Sequence, residues 1–187
     1  MSEDERNILL NWANKLRQNE YDRLPVLPEG GKGLYHYLLS PDDTISDKLV
    51  WTIRNRIIEK EILNGYNESH PNVRDLLLVI EKGECLPKHI DGNKGQFIRT
   101  RFNVFITVPE NCGETYYGEN KVETLEGSYV LCRSGIDEHY CTINLDNNPR
   151  ISLSFGFLLP FDKLDELTSN KSIGTYKYYP LSPPKNN

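Results

Sequence analysis

In the first third of the chain, apolar residues recur every three to four positions. Ile8, Leu9, Trp12 and Leu16 share one side of a helical projection, and Ser2 is followed three residues later by Glu5 in a capping-box pattern, so the spacing predicts a helix over 3–20. Ile45, Leu49, Ile53 and Ile57 repeat in a four-residue step and predict a second helix over 41–64, opening on Ser40 and closing at Gly65. Arg54, Arg56, Glu59, Lys60 and Glu61 fall on its expected solvent side. Between the two lies "LPVLPEGGKG", whose prolines and glycines cannot continue a helix. Both helices read as scaffold.

From about residue 74 the period changes to two. "RDLLLVIEKG", "FIRTRFNVFITV", "GETYYG", "KVETLEG", "SYVLCR", "EHYCTIN" and "RISLSFGFLL" are short and rich in β-branched and aromatic residues, and "PENCG", "GEN", "EGS", "RSGID" and "DNNP" punctuate them. The pattern predicts a mainly β domain, a sandwich or small barrel, with flanking N-terminal helices. Two strands carry more information than the rest. In "RISLSFGF", Arg150, Ser152, Ser154 and Gly156 alternate with Ile151, Leu153, Phe155 and Phe157; the apolar set is expected to pack on the helices. In "RTRFNVFIT", Arg99, Arg101, Asn103 and Thr107 oppose Phe102, Val104 and Ile106. Such polar faces either meet bulk water or line a ligand cavity. After residue 160, "PFDKLDELTSN" predicts a short helix and "YYPLSPPKNN" an extended tail. The expected organisation is one domain over 1–187: a helical support region (1–73), a β core (74–160) and a C-terminal helix and tail (161–187).

Composition narrows the function classes. With 187 residues, 37% hydrophobic and 26% charged, the chain belongs among globular proteins with a buried core, and it holds no apolar run of bilayer length. The net charge of −5 disfavours a nucleic-acid partner, though a local basic groove near Lys94, Arg99 and Arg101 stays open. The acidic start "MSEDERNILLNW" lacks the order of a secretion signal, and the four cysteines fit no CxxC pattern, so free thiols in the cytoplasm and no membrane association are expected.

The candidate chemistry lies in "CLPKHIDGNKG". His89 and Asp91, two apart in extended chain, point the same way from one strand end. His36 and His70 read as packing or surface residues, whereas His139 lies in a predicted strand 50 residues on (139 − 89), and its strand leads to Arg150-x-Ser152. Two imidazoles and one carboxylate on one side of a metal suit non-haem Fe(II) and leave coordination positions open. An arginine facing the same cavity offers a planar fork that matches a carboxylate.

The ordered set of His-x-Asp, a distal His and Arg-x-Ser resembles the Fe(II)- and 2-oxoglutarate-dependent oxygenase superfamily over roughly residues 74–160. The resemblance implies a double-stranded β-helix, also called a jelly roll or cupin-like core. It implies that His89, Asp91 and His139 bind Fe(II), and that Arg150 and Ser152 hold the distal carboxylate of 2-oxoglutarate. Asn103 and Arg101 then face the cosubstrate or the substrate, or are plain strand-surface polar residues. O2 is the oxidant, with ascorbate a candidate reductant, and the products are succinate, CO2 and a hydroxylated protein side chain or small metabolite. Asp91 argues against a halogenase, where a small residue replaces the carboxylate. The rival readings are a nucleic-acid demethylase or hydroxylase of the same superfamily, and a cupin-type isomerase or binding module, which would not require Arg150. "ENCGETYYGENK", with Tyr116 and Tyr117, and "PVLPEGGKG" are candidate mouth loops.

Overall fold

The computed structural model describes residues 1–18, 24–25, 34–39, 46–61, 75–92, 95–160 and 178–180. Helix α1 spans Glu3–Gln18 and α2 spans Ser46–Glu61. The strands are β1 (Leu24–Pro25), β2 (Leu34–Leu38), β3 (Leu76–Ile80), β4 (Leu86–His89), β5 (Phe97–Thr107), β6 (Thr115–Tyr117), β7 (Asn120–Val122), β8 (Ser128–Cys132), β9 (His139–Cys141), β10 (Arg150–Pro160) and β11 (Tyr178–Pro180).

At the start of α1 the expected capping box forms in both directions. The Glu5 amide donates to Ser2 Oγ at 3.1 Å, and the Ser2 amide donates to Glu5 Oε2 at 2.9 Å. Two antiparallel sheets follow. The larger runs β1-β2-β3-β10-β5-β8-β11 and the smaller β4-β9-β6-β7. This is the jelly roll expected for the β core. The N-terminal region differs from the expected purely helical support, because β1 and β2 extend the large sheet from β3. The tail contributes too: Tyr178–Pro180 pairs with β8. The outer turns of the second helix, the helix expected after Pro160 and the "PVLPEGGKG" loop beyond Pro25 lie outside the described residues.

β5 and β10 form the spine of the large sheet. Their pairing carries a bulge near Ile106, so that Ser152 still stands beside Phe105 while Leu153 stands beside Val104. Alternation gives this spine two unlike faces. Ile151, Leu153, Phe155 and Phe157 join Phe102, Val104 and Ile106 against Leu9, Ala13, Val50, Ile53 and Ile57 of the helices, forming the principal core. The opposite face looks toward the small sheet.

Arg54 corrects the expected solvent side of α2. It is 6% exposed, its guanidinium lies over the rings of Trp51 and Phe157, and its Nε meets Asp75 Oδ2 at 3.0 Å. The other Asp75 oxygen accepts the Gly156 amide at 2.9 Å. The pattern misled because Arg54 borders the Ile53–Ile57 stripe and a guanidinium can lie flat on an aromatic face.

Two substitutions test this layer. Ile53→Ala opens a cavity in the core and should cost about 2–5 kcal/mol. Arg54→Met leaves the Asp75 carboxylate buried without its cation and should cost about 3–5 kcal/mol. Urea unfolding midpoints measure both, and a change below about 1 kcal/mol in either would contradict the docking of α2 described above.

Candidate metal centre

The small sheet assembles the triad through its register. β4 and β9 pair antiparallel with His89 directly opposite His139, and β6 pairs with β9 so that Tyr117 also stands opposite His139. The two imidazole centroids are 4.2 Å apart with planes tilted by 51°. Asp91 follows the end of β4, where its amide donates to the Ser134 carbonyl at 2.8 Å. One ligand atom from each of His89, Asp91 and His139 lies within 4.8 Å of the others.

Each histidine is oriented by its own backbone neighbourhood. His89 Nδ1 lies 2.7 Å from the Pro87 carbonyl and His139 Nδ1 lies 3.1 Å from the Asp137 carbonyl. A carbonyl can only accept, so these contacts place the proton on Nδ1 and leave Nε2 of both rings with a free lone pair. Metal-binding histidines are held in this way in general. His89 Nε2 faces Asp91 Oδ1 at 3.7 Å. Two imine nitrogens and one carboxylate oxygen converging from one side form a donor set that fits Fe(II) and occupies only part of its coordination shell.

Burial and charge tune the donors in the same direction. Burial, reinforced by the nearby His89, outweighs Asp91 and holds the His139 pKa below its ordinary value. Burial also opposes ionisation of Asp91, but the Arg101 charge and hydrogen bond, with help from His139 and Ser134, outweigh it and keep the carboxyl below the usual range. Both groups therefore rest in the forms that bind metal, a neutral ring and a carboxylate.

The pocket beyond the triad is closed by the inward face of the large sheet, where Arg101, Asn103, Phe105, Arg150, Ser152 and Ser154 all contribute. Arg150 is 4% exposed. Its Nη2 donates to Thr115 Oγ1 at 2.5 Å, its Nη1 reaches the Gly113 carbonyl at 3.5 Å, and its guanidinium lies over the Phe105 ring at 5.3 Å. Among the described residues no carboxylate pairs with it. Gly113 is required at this place: its φ is +82°, and a Cβ there would lie 2.2 Å from the Thr142 carbonyl oxygen.

His89, Asp91, His139, Arg150, Ser152, Asn103 and Arg101, all singled out in the sequence, line one pocket together with Tyr117, whereas Tyr116 does not. Arg101 donates from Nε to Asp91 Oδ2 at 2.7 Å and reaches Ser154 Oγ at 3.3 Å. Asn103 Nδ2 donates to the Tyr117 hydroxyl at 2.7 Å, and Tyr117 is buried rather than set in a mouth loop. Tyr116 points the other way and stacks on Tyr140, with centroids 4.9 Å apart. Sequence reasoning missed Thr115, Phe105 and the apolar wall of Leu76, Leu78 and Ile80. The i, i+2 spacing of Thr115 and Tyr117 in "TYY" was the available signal. The run "LLLVI" gave none, because both faces of β3 are apolar, one toward the core and one toward the pocket.

No protein-family model matches the chain, and no curated protein sequence matches it. Its fold is nevertheless shared with solved structures. A prolyl-4-hydroxylase from Pseudomonas putida superposes with a TM-score of 0.60 at 14% identity, covering 83% of this chain and 87% of that one. A prolyl hydroxylase from Trichoplax adhaerens, in complex with a hypoxia-inducible-factor peptide fragment, gives a TM-score of 0.64 at 13% identity, covering 92% and 84%. HygX from Streptomyces hygroscopicus, with nickel and 2-oxoglutarate bound, gives a TM-score of 0.56 at 12% identity, covering 83% and 79%. At these identities the likeness establishes a common fold.

The lowered His139 pKa has a measurable consequence. The unfolded chain protonates this ring near pH 6.5, whereas the folded state takes up the proton only at lower pH. The unfolded state therefore binds more protons in that window, and metal-free protein loses stability as pH falls from about 6.5 through the folded pKa. His139→Gln should remove this component, giving a shallower fall in the urea midpoint between about pH 6.5 and pH 5. An unaltered slope would mean that His139 is not buried as a neutral ring.

Proposed function

We propose that this chain is an Fe(II)- and 2-oxoglutarate-dependent oxygenase that hydroxylates a protein side chain or a small metabolite. One observation carries the reading: Arg150, a buried cation with no carboxylate partner among the described residues, faces the same pocket as the His89–Asp91–His139 triad. An unpaired buried charge is costly, so the pocket is built for an anion. A dicarboxylate can bind the metal at one end and Arg150 at the other. The shared fold supports the reading, since HygX holds nickel and 2-oxoglutarate and the Trichoplax hydroxylase binds a peptide.

Each residue then has a task. His89, Asp91 and His139 hold Fe(II). Arg150 and Ser152 receive the distal carboxylate of 2-oxoglutarate, with Thr115 and Phe105 fixing the guanidinium from two sides. Asn103 and Tyr117 form a hydrogen-bonded pair on the wall between the two ends and offer polar contacts to the cosubstrate. Leu76, Leu78 and Ile80 keep the inner pocket apolar, which strengthens the charge pairing there. Bound iron supplies O2 activation; the overall reaction converts 2-oxoglutarate, O2 and a C–H bond of the substrate into succinate, CO2 and a C–OH group. Ascorbate is the candidate for keeping the iron reduced. The four thiols, all free, fit a reducing compartment, and the cytoplasm is the one we propose. No helix among the described residues is long and apolar enough to cross a membrane.

Two variants separate the ends of the pocket. His139→Ala should abolish metal binding and 2-oxoglutarate turnover while the protein stays folded. Arg150→Ala should leave metal binding intact and weaken 2-oxoglutarate by about 2–5 kcal/mol, and Ser152→Ala by about 1.5–3 kcal/mol. Anaerobic titration of 2-oxoglutarate into the Fe(II) protein, followed by the metal-to-ligand charge-transfer band, measures each. Wild-type 2-oxoglutarate affinity in Arg150→Ala would sink the proposed cosubstrate site, and wild-type turnover in His139→Ala would sink the metal assignment.

A further inference from the structure

Two thiols that the proposed chemistry does not use lie against each other where β4 meets β9. Cys85 is half-buried and precedes β4, the edge strand of the small sheet, whereas Cys141 on β9 is 4% exposed and lines the pocket. The backbone brackets Cys85 between two contacts to the β9 side. Before it, the Glu84 carbonyl accepts from the Asn144 amide at 2.8 Å; after it, the Leu86 amide donates to Cys141 Sγ at 3.2 Å. Cys85 alone thus spans the stretch that Thr142 and Ile143 fill on the opposite segment.

This arrangement is close to what a cross-link needs. Leu86 N stands about 2.4 Å from Cys85 Cα, so the Cys141 sulfur lies within about 5.6 Å of that Cα. Cys85 is one residue out of opposition with Cys141, and ordinary strand spacing and rise put their Cα atoms about 6 Å apart. Disulfides bridge Cα atoms about 4.4–6.8 Å apart. We infer that Cys85 and Cys141 are a redox-active pair that a peroxide closes into a disulfide, and that closure disables the Arg150 end of the pocket.

Cys112 and Cys132 are 2% and 0% exposed, so peroxide meets Cys85 first. The Cys85 sulfur attacks one peroxide oxygen, the O–O bond breaks and water leaves, giving a sulfenic acid. The Cys141 sulfur then attacks the Cys85 sulfur, the S–O bond breaks and a second water leaves. Two thiols and one H2O2 become one disulfide and two waters, with two electrons passing from sulfur to peroxide. β4 can follow this movement because it is laddered on one side only and its pairing with β9 is irregular between Leu86 and His89. Closure reaches the pocket through β9. Cys141 stands opposite Thr115, whose Oγ1 accepts from Arg150 Nη2 at 2.5 Å. Turning the Cys141 sulfur toward Cys85 also opens the wall it shares with Ile80, Leu78 and Leu86. That effect rests on the proposed reading of Arg150; the disulfide itself does not.

The full chain, reduced and free of iron so that no iron–peroxide chemistry competes, is treated with hydrogen peroxide and digested without reductant. Mass spectrometry should find a peptide pair joined from Cys85 to Cys141, lighter by two hydrogens than the free peptides and separated by dithiothreitol. 2-Oxoglutarate titrated calorimetrically with Mn(II) present should bind at least about tenfold more weakly after oxidation and recover on reduction. Cys85→Ser, or Cys85→Ala if the serine variant does not fold, should bind 2-oxoglutarate like reduced wild type and keep that affinity through peroxide treatment. Cys85 recovered as a sulfinic acid, or joined to Cys112 or to another copy of the chain, would overturn the pair. A Cys85–Cys141 disulfide with unchanged 2-oxoglutarate affinity would overturn its effect on the pocket. If reduced wild type does not bind 2-oxoglutarate at all, the cosubstrate reading and that effect fall together, while the peptide map still decides the disulfide.

Discussion

The pairing of β4 with β9 is the constraint on which the site depends. Antiparallel register sets His89 against His139 and, through β6, Tyr117 against the same histidine. A shift of one residue in this pairing would turn every side chain to the opposite face and separate the rings. The flanking contacts guard against such a shift. The Leu86 amide donates to Cys141 Sγ at 3.2 Å, the Gly118 amide to the Glu138 carbonyl at 2.6 Å, and the Asp91 amide to the Ser134 carbonyl. Candidate metal ligands separated by 50 residues are thus held to the precision of a β ladder, which is finer than a loop could provide.

The large sheet does the complementary work by having two chemistries on its two faces. Ile151, Leu153, Phe155 and Phe157 bury against the helices and anchor the sheet, while Arg150, Ser152 and Ser154 reach the pocket from the alternate positions. Rigid packing on one side is what allows polar residues on the other to be buried without collapse. On the pocket side of the irregularity near Ile106, Phe105 stands beside Ser152 and under the Arg150 guanidinium.

Electrostatically the site has opposite charges arranged in sequence. Arg54 neutralises Asp75 below the sheet, the Arg101 charge reaches Asp75 as well as Asp91, and Asp91 borders the triad. For Asp75, burial dominates and raises the pKa despite both arginines. For Asp91 the balance falls the other way: burial is outweighed by the Arg101 charge and hydrogen bond, with the help of His139 and Ser134. Among the described residues Arg150 stands apart from this chain of charges, and on the proposed reading that isolation suits its end of the pocket to an external anion.

The sequence by itself determined the helical period of α1 and α2, the two-residue period of the β core, the capping box at Ser2 and Glu5, the two-faced character of β10, and the identity of the candidate donors. His-x-Asp was legible because extended chain sends i and i+2 the same way, and Arg150-x-Ser152 for the same reason. These are local facts, set by backbone geometry within a few residues. What only the tertiary structure decided were the long-range pairings. Arg101 meets Asp91, Arg150 meets Thr115, Asn103 meets Tyr117, and Arg54 turns inward to Asp75, and none of these is encoded in spacing along the chain. They follow from which strands become neighbours, and that choice is made by the burial of whole faces rather than by any one residue. A lone arginine in the sequence cannot reveal whether it will clamp a ligand, hold a cosubstrate or brace a helix; only the partner brought beside it by the fold decides that.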